Sequence, residues 1–294
     1  VIVTKIRNSV LAFLLTGSFA LGQDPDQDRE PTFSYSLETT LVSKFMWRGQ
    51  RLTDGWNLQS SGTVVFKGVS VNVWSKLDLQ AVSEGDNHYL RGNPDAPVGG
   101  GNTGLRGQFS EVDLTFSYAK ELSDVSLEAG TITYILPYNL VSCPSTTEIF
   151  GALSFDSVPL APAARLSVDV DESRERGKTG VYLELGASHS VALPGTRMKS
   201  IELSGTLGIA SSGFAGYCYE FDESGFHDVG FSAGLPFEIG RGWSSKLFLS
   251  YSSLLGKFRD HQYVNLPNLY RGTAGPPSSY ADTLWGGITF TFEP

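Results

Sequence analysis

The chain has 294 residues, 40% hydrophobic, 12% aromatic and 18% charged, with 31 acidic against 22 basic side chains and a net charge of −9. A mean hydropathy of −0.08 excludes a bundle of membrane helices, yet it suits strands that show only alternate residues to lipid. The acidic balance, with no basic run, excludes nucleic acid as a partner, and the 33 glycines, 12 tyrosines and 18 phenylalanines make a strand-and-turn composition.

Residues 1–22 read as a signal peptide. Lys5 and Arg7 give a positive start, Val10 to Leu15 an apolar centre, and Ser18-Phe19-Ala20 and Ala20-Leu21-Gly22 two cleavage sites. The apolar stretch is shorter than the roughly 20 residues that a spanning helix needs. A retained amphipathic anchor is the alternative. Residues 23–32 follow as an acidic periplasmic linker. Asp24, Asp26 and Asp28 have the spacing of half a calcium loop, but its glycine and later glutamate are missing, so neither metal nor cofactor is expected.

Residues 33–294 are expected to form one barrel, because period-two alternation starts at Phe33. Phe33, Tyr35, Leu37, Leu41, Phe45 and Trp47 share one face of the first strand, with Glu38, Lys44 and Arg48 on the other. After a break at Gly49 to Gly55, Trp56, Leu58, Val64 and Phe66 mark the second, and Lys67-Gly68 a tight turn. Val69, Val71, Val73, Leu77 and Leu79 mark the third, opposite Asn72, Lys76, Asp78 and Gln80. Strands this long match a tilted crossing of a membrane rather than a soluble sandwich. Further strands are expected at Val112–Tyr118, Val125–Ile135, Glu148–Phe155, Ala164–Asp171, Val181–Ser188, Ile201–Ala210, Val229–Leu235, Trp243–Tyr251 and Leu284–Phe292. The total is about twelve, an even number as bacterial barrels require.

Loop lengths alternate. Lys67-Gly68, Lys120 to Asp124, Asp156 to Ala163, Val191 to Lys199 and Pro236 to Gly242 are short, whereas Ser83–Gln108, Ser211–Phe226 and Gly256–Asp282 are long and rich in Gly, Pro, Asn or Ser. Short periplasmic turns and long outer loops do this in a barrel, and a sandwich has no reason to. Both chain ends then fall on the periplasmic side. The expectation is an all-β, closed antiparallel transmembrane barrel in the outer membrane of a Gram-negative bacterium.

Two stretches carry a resemblance. Ser43-Lys44-Phe45-Met46-Trp47-Arg48-Gly49-Gln50, with Thr53-Asp54-Gly55 behind it, resembles the S-x-[YF]-x-[WF]-R-G-x-x-x-[TS]-D stretch of the TorF-type porins and related outer-membrane barrels. The close match covers about a dozen residues; the strand pattern extends it loosely over the rest. The last strand, Trp285 to Phe292, resembles the C-terminal signal by which the barrel-assembly machinery recognises its clients, although Glu293-Pro294 follow the final Phe. The resemblance implies a barrel and no catalytic residue. Physically, Trp47 suits the aromatic girdle at the membrane edge, and Arg48 an inward position near the outer mouth.

Chemical motifs are few. Gly99 to Gly104 matches G-x-G-x-x-G formally, but no strand precedes it and no helix follows, so it reads as a loop. His88, His189, His227 and His261 lack partners at metal-ligand spacing, and no G-x-S-x-G elbow occurs, so no enzyme is expected. Cys143 and Cys218, both in outer loops, are compatible with a disulfide.

The inward face speaks to function. By parity it carries Glu38, Asp78, Glu111, Asp113, Glu128, Glu148, Asp169, Asp171, Glu184, Glu202 and Asp228, with Lys44, Lys76, Arg165 and Lys246. An acidic lumen favours cations over anions, whereas an ion-pair network packs a lumen shut. About twelve strands lie between barrels that fill their interior and barrels that leave a channel. The leading expectation is a porin-like channel for small solutes, its outside in lipid. The alternatives are a non-transporting structural or surface-binding barrel, or a lipid-processing membrane enzyme.

Overall fold

The computed structural model describes residues 33–53, 55–80, 106–137, 145–171, 177–194, 198, 200–219, 221–261 and 281–294. The expectations for residues 1–32, for His88, for Gly99 to Gly104 and for Cys143 lie outside these described residues.

The elements in chain order begin with β1 (Ser34–Val42), β2 (Phe45–Trp47), β3 (Gln50–Thr53), β4 (Asn57–Phe66) and β5 (Val69–Asp78). Then come β6 (Phe109–Leu122), β7 (Val125–Ile135), β8 (Thr146–Ser154), β9 (Ala163–Asp169), β10 (Val181–Ala192) and β11 (Ser200–Ala210). Helix α1 (Ser212–Tyr219), β12 (Gly225–Gly240), β13 (Trp243–Leu254), helix α2 (Gly256–His261) and β14 (Asp282–Phe292) complete the chain. Apart from β2 and β3, which pair only with each other, the strands close into one antiparallel barrel of twelve. β14 returns to β1 in the register Leu37↔Phe292 through Val42↔Gly287, which seals the seam. Closure joins the last strand to the first, so the wall's backbone groups pair strand to strand as a lipid solvent requires.

The exterior is apolar. Leu37, Phe66, Val71, Phe116, Leu203, Phe231, Leu249 and Leu284 all stand exposed on the outside of the wall. A continuous belt of this kind exceeds anything a water-soluble monomer carries, so its solvent is the hydrocarbon of a bilayer. No described helix is long and apolar enough to cross a membrane; the strands do it. Tyr35, Trp243 and Phe292 gather at one rim, with Phe292 6.4 Å from Tyr35 and 5.0 Å from Trp243, an aromatic edge at interface depth.

The turns at this rim are tight. Lys67 and Gly68 both take positive φ, 48° and 82°, the type I′ geometry whose twist matches the flanking strands. The rim also holds both ends of the barrel, Ser34 pairing with Val65 and Phe292 with Trp243. Several boundaries differ from the sequence reading, three of them at the short connections. β12 runs on to Gly240, β10 to Ala192 and β6 to Leu122, so those short connections are shorter still. The fold is not purely β, because α1 and α2 cap the opposite, long-loop end.

The first strand is the main departure. It ends at Val42, not at Trp47. Ser43 and Lys44 bend the chain, the bend being fixed by Ser43 N–H to the Gly286 carbonyl (3.1 Å) and by Gly286 N–H to Ser43 Oγ (3.2 Å). The next residues leave the wall and turn inward as the β2–β3 hairpin.

Candidate functional site

The hairpin tip is Trp47-Arg48-Gly49-Gln50. Arg48 has φ +46° and Gly49 φ +74°, again a type I′ turn, with Trp47 opposite Gln50. Glycine is required at 49, since a Cβ there would lie 2.4 Å from Asp228 Cβ on the barrel wall. The Gly49 carbonyl accepts from Ser252 Oγ at 3.3 Å. The hairpin is otherwise seated by side chains. Phe45 stacks on Trp74 at 5.9 Å, Met46 joins Val42 and Trp285, and Trp47 stacks on Phe214 at 5.8 Å and meets Tyr134 edge-on at 6.3 Å. The girdle position expected for Trp47 is therefore corrected: once the chain bends at Ser43-Lys44, the apolar face that would have met lipid meets the inside of the barrel.

Arg48 is the centre of this arrangement. It is 7% exposed and donates twice to Glu148, Nη1 to Oε1 at 2.8 Å and Nη2 to Oε2 at 2.6 Å. Tyr134 also donates its hydroxyl to Glu148, at 3.2 Å. The guanidinium lies 4.5 Å from the Trp47 and Tyr182 ring centres and 5.5 Å from that of Phe214.

Beside it, helix α1 packs Phe214, Ala215 and Tyr219 against Tyr182, Leu254 and Phe258. The helix starts where it does because Ser211 Oγ accepts the Phe214 N–H at 3.2 Å, an N-cap bond. This cluster encloses His227, which is fully buried: its Nδ1 is 2.6 Å from Asp228 Oδ1 and its Nε2 2.8 Å from the Tyr219 hydroxyl, while Tyr182 donates to Asp228 at 2.7 Å. Sequence reasoning placed His227 beside a loop and missed the relay. The adjacent His227-Asp228 pair was its signal. With the imidazole sealed under Phe214, Tyr219 and Phe258, the relay holds the cluster together rather than meeting a substrate in this conformation.

Most of the charged residues expected on the inner face fall into two sets, with Asp228 common to both. Lys76, Asp78, Glu111, Asp113, Glu148, Asp169 and Asp228 are buried beside the hairpin. Lys76 Nζ reaches Asp78 Oδ1 at 3.0 Å and sits 4.7 Å over the Phe45 ring, and Asp169 accepts from Thr146 at 2.8 Å. Both Asp113 carboxyl oxygens and Asp78 Oδ2 are buried without a hydrogen-bond partner. Glu128 is half-buried, and the Arg165 guanidinium stacks 3.7 Å over Phe150. Asp171 lies beyond the end of β9 and is exposed. Cys218 is half-buried on α1.

The second set lines a hollow. Glu38, Lys44, Glu184, Glu202, Asp228 and Lys246 border a cavity of about 460 Å³ that the underside of Arg48-Gly49 also bounds. Lys246 Nζ lies 3.7 Å from Glu202. At the short-turn rim the connection after β8 leans over the cavity, with Asp156 to Ala161 in its lining and the Leu160 carbonyl accepting from Ser188 N–H at 2.8 Å. Among the described residues no group of three or more His, Cys, Asp or Glu has metal-binding geometry.

No family model matches the chain, and no curated protein sequence matches it either. Several solved structures are similar in shape. A NanC porin in a rhombohedral crystal form aligns over 88% of this chain and 98% of its own, with 10% identity and a TM-score of 0.47. The COG4313 outer membrane channel of Pseudomonas putida F1 aligns over 93% of this chain and 100% of its own, with 9% identity and a TM-score of 0.45. Salmonella typhi OmpF, in complex with daunomycin, aligns over 89% and 97% at 9% identity and a TM-score of 0.37. The fold rests on the strand pairing described above, to which scores at this level add nothing.

Proposed function

We propose that this chain is an outer-membrane channel of the porin type that passes small solutes and prefers cations. The observation that carries this reading is the cavity of about 460 Å³, lined in part by charged side chains, inside a closed barrel whose exterior is apolar. Its volume is on the scale of a small-molecule site. In its wall Glu38, Asp156, Glu184, Glu202 and Asp228 outnumber Lys44, Arg48 and Lys246, which supports attraction of cations over anions. In this reading the short-turn rim faces the periplasm and the long loops face outward. Residues 1–22 are the removed leader and residues 23–32 the linker. The assembly machinery engages β14, whose Phe290 and Phe292 face the same side as Leu284. The kinship to the TorF-type porins rests on Ser43 to Gln50 with Thr53-Asp54-Gly55, of which residues 45–53 here form the inward hairpin.

The test is single-channel conductance of refolded protein in a planar bilayer under a salt gradient. Discrete steps with a cation-selective reversal potential are expected. A folded, inserted barrel that gives no steps at any voltage would remove the channel reading. It would favour the second one, a non-conducting structural or surface-binding barrel, for which the hairpin filling the long-loop half speaks.

A further inference from the structure

Apart from the Trp47 ring 4.5 Å away, the groups that hold Arg48 lie outside the hairpin. Glu148 stands on β8, Tyr134 on β7, Tyr182 on β10 and Phe214 on α1. Together they form a carboxylate that accepts two parallel N–H bonds, oriented by a tyrosine hydroxyl, beside two ring faces. That combination fits a planar guanidinium and neither a metal ion nor a neutral solute, because only a guanidinium presents a fork of donors with a flat, weakly hydrated face. A second observation points the same way. Arg48 occupies a left-handed backbone position, φ +46°, where side-chain-bearing residues are disfavoured by about 1 kcal/mol and Asn or Gly are preferred. The hairpin accepts this disfavoured residue at its tip, and what offsets it is the guanidinium in its site.

The hairpin is also independent of the wall's strand pairing. β2 and β3 pair with each other and with no barrel strand, so lifting the hairpin breaks none of the wall's ladders. Arg48 and Gly49 line the cavity, so a solute in the hollow half meets the residue that fills the site. We propose that Glu148, Tyr134, Tyr182 and Phe214 form a recognition site for small guanidinium-bearing cations, and that Arg48 fills it as a tethered pseudo-ligand. Solutes of this class displace the hairpin by taking its place. The transport consequence rests on the channel reading; the binding site does not.

Methylguanidinium is the probe, titrated calorimetrically into folded protein in detergent, with urea as the flat neutral analogue and potassium as the plain cation. In Arg48→Ala the site loses its tethered occupant, and saturable millimolar binding of methylguanidinium is expected, with none of urea or potassium. The unmodified protein, where the tethered Arg48 competes at an effective concentration in the millimolar range, is expected to bind at least about twofold more weakly. Adding Glu148→Gln to Arg48→Ala is expected to abolish binding. A folded Arg48→Ala barrel, identified by its heat-modifiable gel mobility, that binds no methylguanidinium or binds urea equally well overturns the proposal. If that variant does not fold, Arg48→Gln is read by the same criteria. Binding without conductance would sink the channel reading alone, and conductance without binding would sink this one alone.

Discussion

The two halves of the lumen are built from the same strands and the same alternation, yet one is filled and the other hollow. Toward the long loops, the hairpin, α1 and α2 bring Phe45, Trp47, Phe214, Tyr219 and Phe258 inside, and the wall's charges are buried among them. Toward the short turns, among the described residues, the wall meets itself and the connection after β8, and Glu38, Glu184 and Glu202 border a cavity. Twelve strands enclose more space than their own side chains fill. The surplus is taken up where loops are long enough to fold inward. The difference therefore lies in the connections, and the hairpin is the part on which it turns.

Unseating the hairpin is the most direct way to break this contrast, and Gly49→Val should have the largest effect. A branched side chain at φ +74° is strained, and its Cβ would collide with Asp228 Cβ, 2.4 Å away. Barrel pairing is untouched, so heat-modifiable mobility should persist while unitary conductance rises several-fold. Unchanged conductance in a folded Gly49→Val protein would mean that the hairpin does not limit the path.

Glu148→Gln comes next. It keeps the shape but removes the charge that Arg48 faces at 2.6 Å. Breaking a buried pair by removing one partner costs about 3–5 kcal/mol, because the remaining charge is stranded. Arg48 can leave, so the hairpin swings away instead of the barrel unfolding. Single-channel records should show frequent transitions to a higher level, with the heat-modification midpoint shifted less than a buried charge alone would shift it. A quiet trace with unchanged levels would show that the pair does not latch the hairpin.

Much of the fold was legible because lipid enforces a simple rule. Val69, Val71 and Val73 against Asn72, Lys76 and Asp78 read as a two-faced strand from the sequence, and that is how they sit. The Lys67-Gly68 turn was equally clear. The hairpin was not. Phe45 and Trp47 continue the alternation of Tyr35 and Leu37 without a break, so local pattern assigns all four to one lipid-facing strand. What separates them is a bend stabilised by Gly286, distant in sequence, and a pocket assembled from Trp74, Tyr134 and Phe214. Period two says which way a side chain points. It does not say what a loop from elsewhere will place in front of it, and so the Arg48 site and the His227 relay stayed hidden. One sign was available: Arg48-Gly49 sits between flanks too short to cross a membrane.

The smallest effect is expected in the hollow half. Glu202 and Lys246 lie 3.7 Å apart with side chains about 18% and 26% exposed, on a cavity wall that no hairpin covers. Water screens such a pair, and partly exposed bridges contribute about 0–1 kcal/mol. Glu202→Gln should therefore leave the melting of the barrel and the hairpin's gating pattern unchanged. It removes one carboxylate from a wall where acids outnumber bases, so the reversal potential under a salt gradient should move slightly toward zero. The same chemical change, carboxylate to amide, thus acts on gating in one half and on ion preference in the other. If Glu202→Gln altered gating as strongly as Glu148→Gln, the halves would be coupled through a single packed interior, and the division between a filled and a hollow lumen would fail.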